Sequence, residues 1–180
     1  MQNYLKQFRL VGLVLVLVSV PVGQSFAHPG HADPVTISRR THIYMQKLVP
    51  HYLTIQKALA AGELTDEAKG AAEAIQRLVK KARKKESDPS GKKMYKGVAK
   101  AAGFINSASS LDAAREEFDE LNNILMPFFD HWPSHILEHD LVLYTCEETK
   151  QWWLQANGDR VADPYRGASV VCEKLTEKEE

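Results

Sequence analysis

Four successive stretches between Ile37 and Phe129 carry apolar side chains at steps of mostly three, four and seven, the spacing of one helix face. The first is Ile37, Ile43, Tyr44, Leu48, Tyr52, Ile55 and Leu59, with Gly62 as its stop and Pro50 expected to kink or split it. The second opens at Thr65-Asp66-Glu67 and runs through Ala68, Ala71, Ala72, Ile75, Leu78, Val79 and Ala82 into the basic run "KKARKKE". After the breaker "SDPSG" a third extends from about Ser90 through Met94, Val98, Ala101, Ala102 and Ile105. A fourth starts near Ser109 or Ser110 and buries Ala114, Phe118, Leu121, Leu125, Phe128 and Phe129. Amphipathic helices joined by short connections pack side by side in alternating directions, so the predicted fold is mainly α, an antiparallel four-helix bundle. Beyond Trp132, "DLVLYTC" has strand character, "NGD" signals a turn and "DPYRG" a loop. These predict a small C-terminal appendix of short extended segments.

Upstream of the bundle, Lys6 and Arg9 precede an apolar run from Leu10 to Val20, and Ser25-Phe26-Ala27 is a small-x-small cleavage pattern. Residues 1–27 therefore read as a secretory signal peptide, with His28 as the new N-terminus. The run is too short to span a bilayer, which takes about 20 residues. A periplasmic or secreted chain without a transmembrane segment is expected, with residues 28–34 a flexible His-containing leader and 35–180 one domain. Removing residues 1–27 leaves 153 residues, a size suited to one compact domain, with 21 Lys and Arg against 23 Asp and Glu, net −2. That balance argues against a nucleic-acid partner. The chain has two cysteines, Cys146 and Cys172, and in an exported protein a bridge is the default state, with thiol ligation the alternative. Closing that loop stabilises a fold by roughly 3 to 4 kcal/mol in the chain-entropy account.

Several familiar chemistries are missing. The run Lys80, Lys81, Arg83, Lys84, Lys85 complements a helix C-terminus and reads as a solvated face. Gly91-Lys92 is no phosphate loop, because Glu86 and Lys93 stand where that motif needs Gly and Ser or Thr. Neither a Gly-x-Ser-x-Gly elbow nor a Cys-x-x-Cys-His haem motif occurs. "HILEH", His135 to His139, has the H-x-x-E-H form of one metalloprotease class, but only 41 residues follow it, too few for that class's further ligand. The spacing still matters: on a helix, His135 and His139 share a face and can share a metal ion. At the other end His28 offers its α-amino and ring nitrogens as a chelating pair, and His31 a third nitrogen. With His42, His51 and His131, all seven histidines follow the signal peptide.

"LYTC", "WWLQ" and "DPYRGASVVC", together with "YLTIQKALAAGELTDEAKGAAEAI", resemble an extracytoplasmic helical-bundle family of unknown function. That family occurs alone or at the C-terminus of periplasmic adaptor proteins of heavy-metal efflux pumps, which implies copper or silver handling and an efflux adaptor or pump component as partner. The chain departs from the family pattern at Cys146-Glu147-Glu148, where Cys-Pro-Met is usual, and at Val170-Val171, where Met-Leu is usual. Cys172 comes one residue early and Glu173 replaces a glycine. A copper(I) site wants thiolate and thioether donors, so the histidines become the candidate ligands, for copper(II) or zinc. By the same resemblance Trp152, Trp153, Pro164, Tyr165 and Gly167 are structural residues that pin the tail to the bundle.

The expected function is thus an exported, non-enzymatic helical bundle that binds or buffers copper or zinc or accompanies a metal-efflux system, with His28, His31, His135 and His139 as metal ligands. The alternative is a metal-free structural or interaction module stapled by a disulfide. An H-x-x-E-H hydrolase is the third reading.

Overall fold

The computed structural model describes residues 34–132, 134–146, 149–166 and 173–174; the predicted signal peptide, His28, His31, Gly167 and Cys172 lie outside the described residues. Four long helices form the body of the domain: α1 (Arg39–Ala60), α2 (Asp66–Lys85), α3 (Pro89–Ser107) and α4 (Leu111–His131). A one-turn helix α5 (Ser134–Glu138) leads into β1 (Leu141–Thr145) and β2 (Trp152–Ala156), and two residues, β3 (Glu173–Lys174), pair with the other edge of β1. The β1–β2 pair is antiparallel, from Leu141 opposite Ala156 to Thr145 opposite Trp152. The fold is mainly helical with a small antiparallel sheet at its C-terminus, as the periodicity predicts.

Local chemistry sets the helix boundaries. Thr65 caps α2 by accepting from the Ala68 amide, and Ser110 caps α4 through the Ala113 amide. Asp88 caps α3, with Pro89 in its first turn, where a missing N–H is harmless. Gly62, at φ +78°, turns the chain after α1, a conformation that only glycine adopts without strain.

Two details of the first helix differ from the sequence expectation. α1 runs unbroken through Pro50, which lies on its exposed side. Ile43 is 46% exposed. The buried stripe set by Leu48, Tyr52, Ile55 and Leu59 continues back to Met45 and Thr41, and that period rotates Ile43 and His42 away from the core.

Helix α1 packs on α2, α2 on α3 and α3 on α4, while α1 and α4 barely meet. The small faces of α2 (Ala68, Ala71, Ala72, Ala82) and α3 (Ala101, Ala102) allow close approach within this row. The seam left between α1 and α4 is filled by β2, which touches both helices and buries Trp153 and Leu154 completely. Trp153 stacks on Tyr144 and meets Tyr165 edge-on. Four hydrogen bonds bolt the seam: Tyr52 donates to Asn122 at 2.6 Å, Asn122 to the Tyr165 hydroxyl at 2.7 Å, Tyr165 to the Trp152 carbonyl at 3.0 Å, and the Leu154 amide to Tyr52 at 3.0 Å. Burial pushes the Tyr52 hydroxyl above its ordinary range, against its bonds with Leu154 and Asn122, so it stays protonated and able to donate.

The incoming chain is anchored at the end where α1 begins. Thr36 donates to Asp88 at 2.6 Å and its amide to Ser90 at 3.1 Å. The carboxylate of Glu86, 3% exposed, accepts from the amides of Ser38, Ser87 and Asp88 and from the Thr41 hydroxyl. A side chain at Gly91 would stand 2.8 Å from the Thr36 carbonyl, so glycine permits this approach.

Candidate metal centre

In an up-and-down row of four helices, the start of α1 and the end of α4 share one end. Four of the five described histidines collect there: His42 on the first turn of α1, His131 at the last residue of α4, His135 within α5 and His139 just after it. The fifth, His51, lies midway along α1.

Helix α5 is held from both sides. The Trp132 ring donates to the Val35 carbonyl at 3.2 Å, and the His135 amide donates to the Trp132 carbonyl. Past the helix, Asp140 takes positive φ and accepts from the Asn157 amide and side chain beyond β2. Between these ties His135 is driven inward to 4% exposure, its ring stacked on Phe128 at 5.2 Å.

The partner of His135 is His42. The two Nε2 atoms are 2.5 Å apart and the ring centroids 4.1 Å apart, with 51° between planes. On the far side of the ring, Nδ1 lies 3.4 Å from Glu138 Oε2 without hydrogen-bond geometry, so this buried nitrogen is unsatisfied. His139 Nε2 is a second buried nitrogen without a partner. Burial, and after it the His42 ring, lowers the His135 pKa; Glu138 opposes this and His139 adds to it. His135 is therefore a neutral imidazole, the form that binds metals.

Among the described residues no group of three or more His, Cys, Asp or Glu side chains is placed to hold a metal ion. What the structure brings together is a pair of imidazoles. Of the ligands read from sequence, His135 and His139 lie at this end, and His42 was missed. Its position off the apolar stripe was readable, and so was the shared end of the first and fourth helices, but no local motif joins it to "HILEH".

Cys146 is 1% exposed and disulfide-bonded. Its sulfur lies 3.6 Å from Asp163 Oδ2, a packing contact, since a disulfide sulfur carries no proton. Trp153, Pro164 and Tyr165 are buried against the bundle, and Trp152 reaches Asn123 with its ring N–H at 3.0 Å. The five basic side chains between Lys80 and Lys85 are exposed.

No curated protein and no solved structure matches the chain. Residues 48–133 match the model of a family described as "Protein of unknown function (DUF3347)". That stretch starts after His42, covers most of the four long helices and stops before the sheet. Across residues 48–133, just under half of its length, the chain is thus similar to a family of unknown function, and the imidazole pair is formed by residues on either side of the matched stretch.

Proposed function

We propose that the protein is an exported, non-enzymatic helical bundle that binds a transition metal ion, copper or zinc, at the end where α1 and α5 meet, as a buffer or beside a metal-efflux adaptor or pump component. The observation that carries this reading is the contact between His42 and His135 with further buried ring nitrogens left unpaired. Buried polar atoms are nearly always satisfied, and an exception calls for a reason such as an ion. Imidazole donors suit zinc and copper. The third reading finds no support in Glu138, which lies on the Nδ1 side of His135 and not beside the Nε2 atom that meets His42.

The test is calorimetric titration of the chain lacking residues 1–27 with zinc and with copper(II). Binding tighter than about 10 µM, near −7 kcal/mol, is expected. Weaker binding of both ions overturns the proposal and favours the metal-free module, whose support is the disulfide-bonded Cys146 and the bonded trio Tyr52, Asn122 and Tyr165 in the seam.

A further inference from the structure

We infer, resting on that reading, that His42 and His135 are the ligand pair, each through Nε2, and that Glu138 is the positioning carboxylate that fixes the tautomer of His135. An ionised carboxylate only accepts hydrogen bonds. Glu138 Oε2, 3.4 Å from Nδ1, stands on the side of the His135 ring where a carboxylate favours the tautomer with its proton on Nδ1 and a bare lone pair on Nε2. That lone pair points at His42 Nε2, so without metal His42 is the donor across the 2.5 Å contact. Glu138 is half exposed, and its carboxylate is free to rotate into alignment with Nδ1. A carboxylate behind a ligating histidine is the recurrent arrangement at metal sites, where it orients the ring and raises its basicity.

The spacing also says what must move. Two nitrogens bound at 2.0–2.1 Å to a tetrahedral ion stand about 3.3 Å apart, so the pair has to open by about 0.8 Å. His135 is wedged on Phe128, whereas His42 is half-buried on a first helical turn, so His42 is the ring that yields. Its proton must leave Nε2, as it does when the ring carries a proton on Nδ1 instead. Remaining coordination positions fall to water or to other donors.

The experiment measures zinc affinity for the chain without residues 1–27 and for His42→Ala, His135→Ala, Glu138→Gln and Glu138→Asp, with circular dichroism on each. Nitrogen-15 NMR of the imidazoles follows the metal-free wild type and Glu138→Gln. Expected are at least tenfold losses for both histidine variants, a loss of about 10- to 100-fold for Glu138→Gln, and partial recovery in Glu138→Asp. The spectra should show His135 protonated at Nδ1 in the wild type and a tautomer mixture in Glu138→Gln, which a merely structural role would not produce. If the wild type binds zinc and folded His42→Ala binds within twofold of it, the pair is not the site, while the metal reading survives on other histidines. If the wild type binds no zinc, the pair assignment falls, and the metal reading falls with it when copper(II) binding is absent too. His135 protonated at Nε2 in the wild type removes the role given to Glu138, whatever the affinities.

Discussion

Two buried polar clusters among the described residues differ in how completely they are bonded. In the seam between α1 and α4, Tyr52, Asn122 and Tyr165 exchange hydrogen bonds with each other and with the β2 backbone until each side chain has a partner. At the α1–α5 junction, His42 and His135 face each other while His135 Nδ1 and His139 Nε2 have none. A closed network repays its desolvation inside the fold and serves stability; an open one leaves a buried group with unfilled bonding capacity, which a ligand can meet. The contrast is sharpened by the anchor at Glu86, also buried and also saturated with donors.

Substitutions should therefore separate the two. Asn122→Ala has the largest expected effect: it strands the Tyr52 donor and removes a bond to Tyr165, a loss of about 3 kcal/mol in urea unfolding, with zinc affinity unchanged. Glu86→Gln turns an amide toward donors that need acceptors and should lose about 2 kcal/mol. Its pH signature is specific. Burial alone would raise the Glu86 pKa, but the bonds from Thr41, Asp88 and Ser38 outweigh it and hold the group below the usual carboxylate range. The unfolded chain then binds more protons, so this stabilisation is complete above the ordinary carboxylate value of about 4.3 and is lost as pH falls through the folded value. Unfolding measured from pH 6 to pH 3 should fall less steeply for Glu86→Gln than for wild type. Tyr165→Phe leaves Asn122 and the Trp152 carbonyl short of one partner each, about 1–2 kcal/mol. Last comes His135→Leu: it removes the unpaired Nδ1 together with the one bond from His42, a half-buried ring that water can still reach, so metal-free stability should change by less than about 1 kcal/mol while zinc binding disappears. A large destabilisation by His135→Leu, or a small one by Asn122→Ala, would erase the distinction between the clusters.

Apolar patterning explains why the body of the fold was readable. The stripes of the second, third and fourth helices are, Leu78 apart, buried as expected, and Thr65 and Ser110 mark starts because short oxygen-bearing side chains satisfy free amides at helix N-termini; the third helix starts at Pro89, with Asp88 rather than Ser90 at its head. "DLVLYTC" contains β1, while β2 covers "WWLQ" and Ala156, a stretch singled out by resemblance and not by its pattern. The place of β2 in the seam was not readable, since it depends on the hydroxyls of Tyr52 and Tyr165 meeting the β2 backbone across the chain, and an apolar period marks a face without naming its partner. Glu86 looks like the tail of a solvated charge run; only donors arriving from Ser38 and Thr41 make it a buried group. Of the candidate site, the "HILEH" half was legible from spacing. His42 was not, because nothing in a helix's own sequence names what stands beside its first turn.

The order in which the seam can close has a consequence for folding. Tyr52 meets Leu154 across 102 positions and Gln56 meets Ala162 across 106, whereas helices in the row pair with sequence neighbours. Contacts of long separation bear the greater loop-closure entropy and form slowly. A chain whose residues around Tyr165 have yet to dock leaves Tyr52 and Phe118 uncovered in the seam.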